Sequence, residues 1–468
     1  MEKSSSSFVP PDGGWGWVVC FASFLVNGTI FGIMNSSGIL FVKLKETFQG
    51  AAFSTSWVES ISIGMTFLLS PIASVLTDKF GIKRTALLGG FLATVGMLTS
   101  SFVQQLPLLC LTYGVILGTG ASLCYTPSLV ILGHYFHRHL GLVNGIVTAG
   151  SSVFTMVMPF LLSYLLHTVQ FAGTMQILSV MMAVLMVCAL TFQPLVSHNP
   201  TKHSTSKVTD VEKSCCSQIW HSIIHVTIWK NKKYLCWALS IPTALFGYFV
   251  PYLHLVQHVK DILPDANGSI LVMCIGLTSG LGRIIVGKVA DHPRINRICL
   301  QQISFLCIGV LTMLLVIAKD FIILVVMCLF FGLCDGCFIS LLGPIAFDLV
   351  GHKAASQAIG SLLGFVSVPL TIGPPVAGLL YDKLGNYTIA FIAAGIPPIL
   401  GAILMCIIHR MPQPRRRDNL ETLNHICTQG VPCLDEKGKQ AYGIATWEEK
   451  SEILPALVPE TISKSAEL

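Results

Sequence analysis

The chain has 468 residues, 53% hydrophobic and only 11% charged, with a formal net charge of +6 and a mean hydropathy of +0.72. A soluble domain is about a quarter charged, so a disordered chain, a secreted disulfide scaffold and an ordinary cytosolic enzyme are excluded. What remains is an all-α, polytopic membrane protein.

The first residues, MEKSSSSFVP, are polar and carry no cleavable signal pattern. A bilayer core of about 30 Å takes roughly 20 apolar residues per helix. On that measure the sequence predicts twelve spans, at 17–42, 56–76, 86–103, 107–133, 141–166, 173–193, 234–258, 268–290, 298–318, 321–345, 356–380 and 387–408. The longest polar interruption, 194–233, divides them into six-helix bundles at 17–193 and 234–408. Residues 1–16 and 409–468 then form a cytoplasmic N-terminus and a disordered cytoplasmic tail around a cytoplasmic central loop.

The basic residues fix the orientation. With the N-terminus inside, only Lys43, Lys45, Lys260, Lys319 and Lys383 face outward, and Arg283 lies within the membrane. Every other Lys and Arg faces the cytoplasm, the asymmetry expected of the positive-inside rule. Both termini are therefore cytoplasmic.

A repeat supports the division. Span 2 is followed by Ser74-Val-Leu-Thr-Asp78-Lys79-Phe-Gly81-Ile-Lys83-Arg84, and span 8 by Gly287-Lys-Val-Ala-Asp291 with Arg294 and Arg297 behind it. Span 11 ends in the related Gly378-Leu-Leu-Tyr-Asp382-Lys383-Leu-Gly385. An Asp at a helix end followed by cations can latch onto neighbouring helix ends; the same residues also make a tight turn with positive-inside anchors. Asp78, Lys79, Gly81, Arg84 and Asp291 are the gating candidates, with Arg138 on the same side.

Twelve of the sixteen cysteines lie in or beside apolar runs and read as small packing residues. Cys215-Cys216 falls in the central loop, as plain thiols or a palmitoylation site. His134, His137 and His139 flank Arg138 as a basic helix end rather than a metal tract. No metal or cofactor is expected. The glycine-rich runs lack a phosphate-binding lysine, so hydrolysis does not drive the protein.

The loop after span 2 resembles the motif of the major facilitator superfamily, with Ser74 in place of the usual glycine and Ile82 in place of a cation. Pro10-Pro11-Asp12-Gly13-Gly14-Trp15-Gly16-Trp17 and Tyr135-Phe136-His137-Arg138-His139-Leu140-Gly141 resemble signatures of the monocarboxylate transporter family. The resemblance covers about residues 10–410 and implies the major facilitator fold and transport. Proton-coupled lactate carriers of that family place a lysine where Asn35 stands and an aspartate where Ser279 stands. The chain is more similar to the branch carrying aromatic amino acids and thyroid hormones, through Asn27-Gly-Thr-Ile-Phe-Gly-Ile, Gly247-Tyr248-Phe249-Val250-Pro251-Tyr252-Leu253-His254, Thr278-Ser279-Gly280-Leu281-Gly282-Arg283 and Ser356-Gln357-Ala358-Ile359-Gly360. Some family members need an immunoglobulin-like ancillary subunit, an expectation that no local feature here carries.

Arg283 and Asp335 stand out without any resemblance. A charge in mid-membrane costs at least ~2.5–3.5 kcal/mol on insertion scales, so it has a partner or a task. The two lie about 15 and 14 residues into spans 8 and 10, roughly 22 and 21 Å deep at 1.5 Å per residue. Arg283 suits a substrate carboxylate and Asp335 an ammonium; the other reading is a permanent ion pair locking two helices. His254, near the outer end of span 7, is either a substrate or gate residue or an interfacial histidine facing headgroups. Asn35 and Tyr125 complete the binding candidates. Glu59 reads as a solvated charge at the outer start of span 2, with a proton-coupling carboxylate as the other reading. Asn267-Gly-Ser269 and Asn386-Tyr-Thr388 match glycosylation patterns close to the membrane. Arg415-Arg416-Arg417 is placed to meet anionic lipid headgroups.

The sequence therefore predicts a multi-pass plasma-membrane facilitator of aromatic amino acids or thyroid hormones, without proton or sodium coupling. A proton-linked monocarboxylate carrier is the alternative, and a non-transporting receptor the third reading.

Overall fold

The computed structural model describes residues 12–48, 50–136, 140–193, 229, 231–290, 292, 295–350, 352–411, 433–434 and 440–441. Arg138, Asp291, Cys215-Cys216, the central loop to 228 and the Arg415–Arg417 triplet lie outside them, as do the side chains of Asp78, Ser356 and Gln357. Met1–His409 forms one compact unit and Arg410–Leu468 a second. Within the second, where the sequence reads a disordered tail, Cys433–Leu434 pairs antiparallel with Gln440–Ala441.

The first unit is built of helices. α1 is Trp15–Asn35, continuing after a break at Ser36 as Ser37–Phe48. α2 is Ala52–Leu68 and Ser70–Phe80, bent by 43°. α3 is Ile82–Ser100, α4 Leu106–Tyr135, α5 Leu140–Thr168 and α6 Gln170–Leu190. α7 is Lys232–Leu245 and Val250–Ile262, α8 Ser269–Ala290 and α9 Arg297–Leu314. α10 is Phe321–Val350, α11 His352–Leu384 and α12 Thr388–Arg410.

Among the described residues ten helices are long and apolar enough to cross a membrane, and the bent α2 makes eleven. The remaining predicted span is α3, 19 residues long. Lys83 and Arg84 occupy its first turn and dilute its apolarity, which is why the apolar run places its start four residues late. Large apolar side chains face outward, among them Phe102 at 71% and Ile322 at 70% exposure. In a bilayer such a surface is lipid contact rather than an aggregation liability.

Local chemistry explains the ends. Gly81 takes φ +91°, a left-handed conformation that turns α2 into α3 and that a side chain would strain. Asn231, Asn267, Asn296, Asp320 and Asn386 accept backbone N–H bonds at the starts of α7, α8, α9, α10 and α12. Asn267 and Asn386, the glycosylation patterns, are thus helix caps. The two family-like sequence runs meet each other: Asp12 N–H donates to the Tyr135 carbonyl at 3.0 Å, and Trp17 packs edge-on against Phe136 at 5.3 Å. Trp15 Nε1 donates to the Thr191 carbonyl at 3.1 Å, anchoring α1 to the end of α6.

Across the two sets of six, α2 packs on α11, α5 on α8, and α1 on α7. Helices 2 and 8, 5 and 11, and 1 and 7 occupy equivalent places in the repeat, so the α2–α11 and α5–α8 seams are counterparts under a pseudo-twofold relation. The outer part of the first seam is closed. Gly64 lies so near α11 that a Cβ would fall 1.8 Å from Thr371 Oγ1, and at Gly378 a Cβ would fall 2.8 Å from the Ala52 backbone. α2 has no capping side chain of its own. Its first N–H groups, Ala52 and Phe53, donate instead to Asp382 Oδ1 and Oδ2 of α11, at 2.9 and 2.8 Å. Lys45 stands 4.1 Å over the Tyr381 ring, and Lys260 pairs with Glu46. Burial pulls the Lys45 ammonium below its ordinary value, with Asp261 and Asp382 acting against that.

Glu59 is a correction. It is fully buried, not solvated. α2 begins at Ala52, before the apolar run, so Glu59 sits two turns inside the helix.

Candidate functional site

The contacts of α5 with α8 and α1 are organised by hydroxyls on α5. Thr148, Ser151, Ser152 and Thr155 recur at i, i+3, i+4 and i+7, which on a 3.6-residue period is a single face. That face meets α8 and α1. Arg283 of α8 donates through Nη1 to the Thr148 carbonyl and, at 2.6 Å, to Ser151 Oγ. Ser152 Oγ donates to Ser279 Oγ at 3.4 Å. Asn35, the last residue of the first α1 segment, donates through Nδ2 to Thr155 Oγ1 at 3.0 Å. Close approach depends on small residues: a Cβ at Gly276 would fall 2.9 Å from the Met156 backbone.

Asp335 of α10 is 1% exposed. Its Oδ2 accepts from Ser279 Oγ at 2.6 Å, and its Oδ1 accepts from the Tyr248 hydroxyl of α7. One chain of polar contacts therefore runs from α5 through Ser279 to Asp335 and Tyr248. α8 and α10 pack tightly beside it, with Gly336 so near that a Cβ would fall 2.1 Å from the Ser279 carbonyl.

Arg283 and Asp335 are both buried, but among the described residues they form no ion pair. The permanent lock is absent from this conformation. Arg283 instead crosses the seam to α5, while its Nε is buried without a hydrogen bond. Among the described residues its hydrogen-bond partners are a neutral carbonyl and a hydroxyl, so its environment suits a visiting anion.

Tyr125 of α4 is half-buried among aromatic rings, 5.1 Å from Phe31 of α1 and 6.4 Å from Phe67 of α2, both edge-on. Its hydroxyl lies within the field of Arg283. An aromatic cluster and a guanidinium thus border the same region.

His254 is not interfacial. It is fully buried at the outer seam. Its Nε2 lies 2.9 Å from the Pro374 carbonyl of α11, which can only accept, so Nε2 carries the proton. Nδ1 then accepts from the Tyr387 hydroxyl at 3.2 Å, and Ser56 Oγ of α2 lies 3.4 Å from Nε2. Phe41 packs edge-on at 4.8 Å. His254 ties α7 to α11 beside the Asp382 cap, and its hydrogen-bond partners are not those of Arg283 or Asp335.

On the cytoplasmic side Lys79 and Arg84 are exposed and, among the described residues, make no ion pair. Lys79 lies 5.6 Å over the neighbouring Phe80 ring. Gly81 supplies the turn. The latch partners Asp291 and Arg138, and the Asp78 side chain, fall outside the described residues.

Sequence reasoning missed the α5 stripe, Tyr248 as the Asp335 partner, and the trans cap by Asp382. The stripe was visible as four hydroxyls at helical spacing in an apolar span. Asp382 carried a signal as the helix-end aspartate of the span 11 repeat, but not the identity of its partner, and Tyr248 has no local signal, because both partnerships arise only when distant helices meet.

The profile described as Major Facilitator Superfamily matches residues 16–318 and 302–447. Monocarboxylate transporter 10 of Mus musculus is 48% identical over 87% of this chain and 81% of its own length. The Homo sapiens protein of the same name is 46% identical over 88% and 81%. Monocarboxylate transporter 4 of Gallus gallus is 30% identical over 89% of each. Among solved structures, the nucleoside transporter NupG superposes with a TM-score of 0.68 at 12% identity, covering 84% of this chain and all of its own. A POT family transporter in complex with 5-aminolevulinic acid gives 0.66 at 12% identity, over 85% and 98%.

Proposed function

The chain belongs to the major facilitator superfamily and, within it, to the monocarboxylate transporter family, and from that premise we propose that it carries aromatic amino acids or iodothyronines through the site between α5, α8 and α10. It is a multi-pass plasma-membrane transporter. The two six-helix halves alternate about the seams, exposing the site to either side in turn.

The observation that carries the substrate reading is Arg283, a buried guanidinium with an unused Nε–H and no carboxylate partner among the described residues. A substrate carboxylate is its natural counter-ion, taken by the planar fork. Among the described residues Asp335 is held by the neutral donors Ser279 and Tyr248, and it offers negative charge to an ammonium. Phe31, Phe67 and Tyr125 offer edges and faces to an aromatic side chain. Arg283 now bonds α5, so a carboxylate that takes over the guanidinium would loosen the α5–α8 seam. Substrate binding and movement of the halves would then be one event.

Uptake of labelled Tyr, Trp, triiodothyronine and lactate, measured side by side, tests this reading. Tyr, Trp or triiodothyronine is expected to enter in a saturable manner and lactate is not. Saturable lactate uptake with none of the other three would replace it by the monocarboxylate alternative.

Coupling has its own test. Asn35 and Ser279, where lactate carriers of the family have ionisable residues, are neutral hydrogen-bonding groups here. A zwitterion also brings no net charge. In proteoliposomes an inward proton gradient is therefore expected to leave the final substrate level at equilibrium. Accumulation above that level would show coupling and overturn the facilitative mechanism.

A further inference from the structure

Glu59 belongs to none of this machinery and is the least explained charged group in the bundle. It is fully buried, and neither carboxylate oxygen has a hydrogen bond. The Tyr113 hydroxyl of α4 faces it, itself buried and unsatisfied. Tyr113 lies in a π-helical stretch, Cys110–Leu117, a local widening of the helix of the kind found at functional positions. α2 and α4 close tightly around the pair: a Cβ at Gly114 would fall 2.8 Å from Ile61, and one at Gly118 would fall 2.6 Å from the Ser62 carbonyl.

Among the described residues no cation pairs with this carboxylate. Among the described residues Tyr113 is the one titratable group that acts on Glu59. On the other elements packed against α2, Asp382 and Tyr381 of α11 and Lys45 and Glu46 of α1 gather at its outer end, and His254 of α7 faces Ser56. An ionised carboxylate buried in the bundle, with one hydroxyl facing it and no cation beside it among the described residues, is less favourable than a neutral carboxyl.

We propose that Glu59 is a proton-binding site reached from the outer side, filled when the outer seam closes and able to empty when it opens. It lies seven residues from the start of α2, about 10 Å deep at 1.5 Å per residue. Outward of Glu59 and one turn away on the same face, α2 carries the buried hydroxyls of Thr55 and Ser56, which bond the carbonyls of Ala51 and Ala52. Opening the α2–α11 and α1–α7 contacts gives water a polar path along it. A proton that enters and leaves on one side sets the balance of open and closed states without being transported. External acid then favours the closed state, and the apparent substrate affinity from outside falls with the open fraction.

The proposal rests on the alternating-access reading, and the experiment separates the two. The full chain and Glu59→Gln are reconstituted in liposomes. Infrared difference spectra, wild type minus Glu59→Gln, are expected to contain a neutral-carboxyl C=O band that weakens as external pH is raised. For whichever of the four labelled compounds is carried, external acidification is expected to raise wild-type KM by about threefold or more. Glu59→Gln, which mimics the protonated group, should hold the acid-limit KM at every external pH. Internal pH should not move KM in either protein. Tyr113→Phe, which keeps the carboxyl and the packing, should shift the wild-type response along the pH axis without abolishing it, and serves if Glu59→Gln fails to fold. No neutral-carboxyl band, or a band and a KM profile indifferent to external pH, would overturn the proposal. An internal-pH effect abolished by Glu59→Gln would overturn its one-sided access. If none of the four compounds is carried, the substrate reading fails while the infrared titration still decides the proton site.

Discussion

Arg283→Lys is expected to reach the membrane at normal levels and to lose at least about tenfold in kcat/KM, or ~1.4 kcal/mol of transition-state stabilisation. Lysine keeps the charge but not the planar fork, so it can meet one carboxylate oxygen where arginine meets two. It also cannot reach the Thr148 carbonyl and the Ser151 hydroxyl in the same way, so the α5–α8 contact weakens together with substrate binding. Harsher variants are judged from the same contacts. Asp335 receives its hydrogen bonds from Ser279 and Tyr248, not from Arg283. Arg283→Ala therefore does not strand an unpaired aspartate, and its main defect should be in transport rather than folding. A charge swap, Arg283→Asp with Asp335→Arg, would place a carboxylate against the Thr148 carbonyl, acceptor against acceptor. It is expected to be inactive even when well expressed. Wild-type-like uptake by the swap, or by Arg283→Lys, would remove the carboxylate-binding role.

The reach of sequence reasoning follows from what determines each feature. Span number and orientation are written locally, in apolar length and in the side on which Lys and Arg accumulate, so they could be read. Lys83 and Arg84 show the limit even there, since a helix that starts with two cations looks shorter than it is. Glu59 shows the same error with larger consequences: Ala52-Phe53-Ser54-Thr55 is not an apolar run, yet it forms the first turn of α2 because Asp382 satisfies its N–H groups from another helix. A local rule has no access to that partner. Arg283 and Asp335 were visible because a charge in an apolar run is costly anywhere. That they do not pair was not legible, because equal depth permits contact without requiring it, and the α5 groups and Tyr248 offered better-placed neutral partners.

Removing the Asp382 cap is expected to open the outer seam. The carboxylate binds two free N–H groups at the positive end of α2. A capping side chain is worth ~1 kcal/mol, and a charge at a helix terminus up to ~2 kcal/mol when partly buried. Both contributions exist only while α2 and α11 are together, so they stabilise the closed state alone. Losing ~1–2 kcal/mol from one of two states shifts their ratio by about 5–30-fold. Ser56, fully buried beside His254, reports the state of the seam when replaced by cysteine. Labelling of Ser56→Cys by a membrane-impermeant thiol reagent from outside is expected to quicken several-fold when Asp382→Ala is added. The same Asp382→Ala protein without the new cysteine supplies the background. Asp382→Asn, which keeps a side-chain oxygen but not the charge, should fall between. Lys260→Ala is the comparison, because the Lys260–Glu46 pair also joins the outer ends of the halves but is about half exposed, at 52% and 48%. Pairs of that kind contribute about 0–1 kcal/mol, so labelling should barely change. Equal effects of Asp382→Ala and Lys260→Ala would mean that the seam is held by apolar packing around Gly64 and Gly378, and that the cap is incidental to gating.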